Sequence, residues 1–231
     1  MIASLLSLLL LAPSAFAEKP KKKLGVFSIH SEDYALKRKD GVVEEWTGKV
    51  YYHEYERDVW SDWAEHRKDD DLWTLRGHVR AIWRLKDKTT LEAKGHEARH
   101  DSEREAGTLR PLPGRRLEFF RQRPEFLEPD RGEAERLGWD MRVHRMTLEG
   151  AVKTWGPSGE TWSDRADFDT ERRRLDLSGG RPVLAAGASD WDGAVQADRV
   201  SAADNPRVVT ADGKVRGWIV FRDRPEKLKG F

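Results

Sequence analysis

The chain contains no cysteine, so no disulfide framework staples it, and the small cysteine-rich secreted classes are excluded. Charge of one sign is missing too: 42 Lys and Arg stand against 41 Asp and Glu, for a formal net charge of +1. Without a global positive field, nucleic-acid binding is not expected; local basic clusters would still suffice for an acidic lipid headgroup. Beyond the first residues no stretch is apolar enough to span a membrane as a helix. There is no Gly-x-Ser-x-Gly, phosphate loop or dinucleotide fingerprint, and carboxylates read only as a charged surface. The chain is therefore read as a non-enzyme without cofactor, with a glycan hydrolase on a β-solenoid as the alternative. His96 and His100 are four apart in a segment that reads as strand and turn, with no cysteine and no acidic partner at metal spacing, so no metal site is expected.

What is present begins with an export signal. Ile2 to Leu11 form a short apolar run, Pro13 breaks it, and Ala15-Phe16-Ala17 offers small residues at both key positions of a cleavage site. Residues 1–17 are read as a signal peptide, although no Lys or Arg precedes the run. An uncleaved anchor, helped by the basic stretch Lys19 to Lys23, is the alternative. The rest of the chain is exported in either case.

The remainder is repetitive. Trp60-Ser61-Asp62-Trp63-Ala64 recurs as Trp162-Ser163-Asp164-Arg165-Ala166, and Gly48-Lys49-Val50 as Gly150-Ala151-Val152, both displaced by 102 residues. Gly77 and Gly179 keep the same displacement of 102. Within each copy, Ala64 to Gly77, Ala166 to Gly179 and Val200 to Gly213 each span 13 residues. So short a period holds strands and turns and has no room for a βαβ unit. Two modules follow, residues 26–109 and 141–221. Between them lies a seam, 110–140, rich in Pro, Arg and Glu, in which Glu133-Ala134-Glu135-Arg136-Leu137 reads as a short helix.

Alternation identifies the strands. From Trp73 to Leu85 the odd positions are Trp73, Leu75, Gly77, Val79, Ala81, Trp83 and Leu85, and the even ones are mostly Thr, Arg and His. A period of two means one buried and one solvated face. The same pattern runs through Trp46 to Tyr52, Met146 to Val152 and Val209 to Phe221. The glycine always falls on the apolar side, where a strand bends or two walls approach. Turns fall at Lys68-Asp69-Asp70-Asp71, Lys86-Asp87-Lys88, Gly156-Pro157-Ser158-Gly159 and Asp204-Asn205-Pro206.

Phe27-Ser28-Ile29-His30-Ser31-Glu32-Asp33, then Gly41-Val42-Val43 and Trp46-Thr47-Gly48-Lys49-Val50, resemble the opening of the LptA/OstA-like lipopolysaccharide-transport family. The repeat of that family, a small residue, Asp, any residue and an aliphatic, is met by Ala197-Asp198-Arg199-Val200, by Ser61 to Ala64 and by Ser163 to Ala166. The resemblance covers most of 26–221 outside the seam; Lys94-Gly95 departs from it. It implies an all-β, slightly open β-jelly roll of V-shaped cross-section with an apolar interior. It also implies a periplasmic, lipopolysaccharide-binding role that bridges inner and outer membranes, with neighbouring jelly rolls joined by edge-strand addition. The anchored LptC-like role is the alternative within the family.

Parity places Trp46, Val50, Tyr52, Leu75, Val79, Trp83, Leu148, Val152, Leu175, Leu177, Val215 and Ile219 on the inner wall, where acyl chains of lipid A would lie. A closed, filled core is the competing reading of the same residues. Arg76, Arg80 and Arg84 take the outer parity, either as a rim for lipid phosphates or as a solvated strand face. Ten Trp raise a further alternative, a carbohydrate-binding solenoid with stacking platforms. Trp46, Trp73 and Trp83, however, share the apolar parity.

Overall fold

A computed structural model describes residues 27–38, 41–157, 159–187, 191–204 and 207–221. The signal-peptide and anchor readings, and parts of the turns at Ser158 and Asn205-Pro206, lie outside them. The described chain is all-β. Its strands are β1 (Phe27–His30), β2 (Asp33–Lys37), β3 (Val43–Glu54), β4 (Arg57–Arg67), β5 (Leu72–Arg84), β6 (Thr90–Asp101), β7 (Ala106–Arg110), β8 (Leu117–Gln122) and β9 (Asp130–Ala134). They continue as β10 (Arg136–Asp140), β11 (Arg145–Gly156), β12 (Gly159–Asp169), β13 (Arg174–Ser178), β14 (Val183–Gly187), β15 (Trp191–Gln196), β16 (Arg199–Asp204), β17 (Arg207–Asp212) and β18 (Arg216–Phe221).

Pairing is antiparallel throughout and resolves into two walls. One runs β1, β3, β4, β5, β6, β8, β9, β11, β12, β14, β15, β18. The other runs β2, β3, β4, β5, β6, β7, β10, β11, β12, β13, β16, β17. The long strands β3 to β6, β11 and β12 belong to both, because each turns a corner at its middle. Short strands come in pairs that do the same with the corner left unpaired. The result is a slot: two hydrogen-bonded walls meeting along a vertex of corners, with strand tips at the mouth.

The glycines make the corners. At Gly48-Lys49, Gly77-His78, Gly150-Ala151 and Gly213-Lys214 both residues have positive φ. The register slips by one between Thr47 and Val50, Arg76 and Val79, and Glu149 and Val152. These are β-bulges, which bend a strand where one extra residue enters it. The preceding rung supplies an acidic residue that packs on the glycine: Glu32 on Gly48, Asp62 on Gly77, Glu135 on Gly150, Asp164 on Gly179 and Asp198 on Gly213. Its backbone is tied in as well. The N–H of Glu32 donates to the Gly48 carbonyl at 3.0 Å, and that of Asp198 to the Gly213 carbonyl at 2.7 Å.

The seam requires a correction. Glu133 to Leu137 is strand, not helix: Ala134 ends β9, Arg136 opens β10 and Glu135 is the corner between them. Ala134 and Leu137 stand three apart, a spacing that a helix would also place on one face. Here that spacing arises because a corner adds one residue to a period of two, so that Ala134 and Leu137 are both fully buried. Ser61 and Ala64, and Ala197 and Val200, show the same three-residue step. Residues 117–140 accordingly supply rungs to both walls. Leu117 has no exposed surface, so Leu117→Ala is expected to lower unfolding free energy by about 2–5 kcal/mol, read by urea denaturation. An appended surface insertion would change it by less than about 0.5 kcal/mol.

Candidate functional site

Between the walls the two halves of the slot differ. In the N-terminal half aromatic rings bridge the gap: Tyr52 of one wall meets Trp73 of the other edge-on at 5.6 Å, and Trp83 meets Trp139 at 5.9 Å. Trp46 and His66 stack on Trp73 at 5.4 and 4.3 Å. The C-terminal half holds an apolar cavity of about 160 Å3. Leu137, Met146, Leu148, Ala166 and Leu175 line it from one wall, and Phe119, Thr161 and Leu184 from the other. Apolar cavities of about 150 Å3 stay dry and admit a benzene-sized guest. The resting space therefore fits one segment of an alkyl chain, not several chains.

The residues singled out on parity separate by depth. Val50, Val79 and Val152 each follow a corner directly, sit at the vertex where the walls touch, and are buried with Leu177. Trp46, Leu75 and Trp83 are buried in the aromatic half. Tyr52 is half-buried there; burial pushes its hydroxyl pKa up, and the O–H donates to Glu54 at 3.0 Å. Leu148 and Leu175 do line the cavity. Val215 and Ile219 lie on the final rung and are 53% and 63% exposed, because no later rung among the described residues covers them. Met146, on the apolar parity of its strand, lines the cavity too, while Phe119, Leu137, Ala166 and Leu184 were not anticipated. Two of these fall in 110–140, where the motif Ala134-Glu135-Arg136-Leu137 was the signal that could have placed them.

Outside the slot, Arg80 lies over Trp60 at 4.9 Å and bonds Glu92 at 2.8 Å, while Arg76 lies over Trp63 at 5.2 Å. Arg84 pairs with Asp58. These arginines hold the outer faces together, and Trp60, stacked on Tyr51 at 5.2 Å, already has a guanidinium on its ring where a sugar would stack. Among the described residues no group of three His, Asp or Glu side chains is placed to hold a metal ion.

The cavity's mouth is charged. Arg121 donates from Nε and Nη2 to Asp130 at 3.1 and 2.8 Å, and Arg123 Nε approaches the same carboxylate at 3.6 Å. From the opposite wall Arg173 reaches Asp87 at 3.8 Å and Glu125 at 3.9 Å. Arg121 also lies 5.6 Å over the Phe168 ring, again across the slot.

His100, at the tip of β6 against Trp139, is largely buried, which holds its pKa below the ordinary imidazole value. The unfolded chain then binds more protons than the folded one below about pH 6.5. Its contribution is complete above that value and is lost as pH falls toward the depressed folded-state pKa. The melting temperature is expected to drop between pH 7 and pH 5, and His100→Gln should flatten that part of the profile.

No family model matches the chain, and no curated protein matches it. Among solved structures, LptH from Pseudomonas aeruginosa, described as the LptA-homologous periplasmic component of the lipopolysaccharide transport device, is similar at 11% identity. The match covers 67% of this chain and 83% of that one, with a TM-score of 0.29.

Proposed function

We propose that this protein is a non-enzymatic lipid carrier of the periplasm that takes an acyl chain of lipopolysaccharide into its two-walled slot and passes it between membranes. The observation that carries this reading is the apolar cavity between the walls, with its charged mouth at the strand tips. An acyl segment of about six methylenes entering it would gain about 5 kcal/mol at roughly 0.8 kcal/mol per methylene, with no polar contact required in the floor. The resemblance of the opening segment and of the acidic repeat to the LptA/OstA-like family points to the same cargo.

The β17 and β18 end of the stack suits strand addition. β18 pairs with β15 and β17 with β16, and no further strand among the described residues pairs with their outer edges. Val208, Val209, Trp218, Ile219, Val220 and Phe221 there are all exposed. An apolar, exposed edge of that kind is a template for another jelly roll.

The test is co-elution. Lipopolysaccharide is expected to travel with the purified protein on gel filtration, whereas deacylated lipopolysaccharide is not. Retention of the deacylated glycan would instead support sugar binding. The anchored, LptC-like role is separated by mass spectrometry of the exported protein, since a cleaved carrier begins at Glu18.

A further inference from the structure

The two modules carry the same outer tryptophan with different neighbours. Trp60 and Trp162 stand at equivalent positions, 102 residues apart. Trp60 is registered against Arg80 on β5, whose guanidinium lies 4.9 Å over the ring, and Tyr51 of β3 stacks on it at 5.2 Å. Trp162 is registered instead against Val183 on β14 and Lys153 on β11. It is 38% exposed, and its one ring partner among the described residues is the Lys153 ammonium at 5.9 Å. The neighbouring row has the same character. Thr154, Thr161 and Leu184 line the cavity, so the residues beside them on each strand take the outer face. Register carries that row from Trp155 through Glu160, Ala185 and Ala194 to Trp218. Trp218 is 55% exposed, and no ring or cation among the described residues lies on it. Four strand-to-strand steps separate Trp155 from Trp218, about 19 Å in all. The side chains of Glu160 and of Gln196, which pairs with Val183 one row over, are engaged by no hydrogen bond or ion pair among the described residues.

We infer that this outer face, carried by β11, β12, β14, β15 and β18, is a glycan platform that takes an extended β-(1→4)-linked sugar chain laid across the strands. Three observations select a sugar chain. A pyranose offers an apolar C–H face to an indole while its hydroxyls reach polar side chains, and this face sets tryptophans beside an unengaged carboxylate and an unengaged amide. An extended β-(1→4) chain advances by nearly one strand spacing per sugar, so about four sugars cover the distance from Trp155 to Trp218. The small Ala185 and Ala194 side chains leave room for the inner sugars between the two indoles. Finally, the first module shows the same surface with its stacking position filled by Arg80 and Tyr51, whereas the second leaves the ring open to solvent. The platform lies on the opposite side of the wall from the cavity, so it stands apart from the lipid-carrier reading.

The experiment titrates the full chain with the disaccharide and the hexasaccharide of β-(1→4)-linked N-acetylglucosamine, read by intrinsic tryptophan fluorescence. The hexasaccharide is expected to bind at least about tenfold more tightly, because it alone reaches both Trp155 and Trp218. Trp218→Ala should reduce the hexasaccharide to the affinity of the disaccharide, and Trp218→Phe should recover part of the difference. Trp218 lies exposed on the last rung, so neither variant opens the core, and circular dichroism checks the fold of both. Trp60→Phe, in the first module, should change neither affinity. Equal affinity for the two sugars, or binding of neither, would overturn the platform. Deacylated lipopolysaccharide binding more tightly than the hexasaccharide would assign the face to the sugars of the cargo and would also overturn it. A dimer of the chain that Trp218→Ala dissociates would show that a second copy covers the face, with the same consequence.

Discussion

Valine in place of Gly77 is expected to lower unfolding free energy by about 2–6 kcal/mol, a large share of the roughly 5–15 kcal/mol that holds a domain together. Two costs combine. Gly77 has φ of +74° and is followed by His78 at +44°, a conformation that costs a side-chain-bearing residue about 1–3 kcal/mol and weighs most on a β-branched one. A Cβ there would also lie 2.8 Å from both Cβ and Cγ of Asp62. The carboxylate cannot simply swing away from such an overlap, and overpacking of this kind costs about 1–3 kcal/mol. Gly138→Ala is the control. Its nearest non-neighbouring atom would be the Gly107 carbonyl oxygen at 3.8 Å, so stability should stay within about 1 kcal/mol or rise. Urea midpoints of the two variants separate a corner glycine from an ordinary strand glycine.

The second large effect concerns ligand capacity. Leu184 on β14 faces the cavity, and Leu184→Trp would fill it with an indole. Lipopolysaccharide binding is expected to fall at least about tenfold, because the space fits only one alkyl segment. Stability should change by no more than about 1–3 kcal/mol. Val183→Trp, on the neighbouring position of the same strand, turns the added ring to the other face and should leave binding unchanged. Co-elution of lipid with each purified variant reads the difference.

Alternation and the recurring glycine made most of the strand architecture legible. Leu75, Val79, Ala81 and Trp83 are buried on one face of β5, as their parity implies, and the glycines do mark bends. What parity could not convey is depth. Val152 and Leu148 share an apolar face, yet Val152 follows a corner and is sealed at the vertex, while Leu148 lies farther from it and lines the cavity. Nor could parity show where the stack ends, which is why Val215 and Ile219 are exposed despite an inward phase. The seam was misread for a different reason. Glu135 takes the place of the Asp that marks other corners, and the three-residue step around it imitates a helix. Arg121 and Arg123 in the same segment, with Arg173 from the opposite wall, meet only through the pairing of β8 and β12 to their respective neighbours, which no local pattern records.

The account depends on which side of β13 meets lipid. Leu175 faces the cavity, whereas Asp176 bonds to Ser201 and Arg174 outside it. A photocrosslinking amino acid at Leu175, irradiated in the presence of lipopolysaccharide, should label the lipid, and the same probe at Asp176 should not. Labelling from Asp176 with Leu175 silent would show that the cargo never enters between the walls.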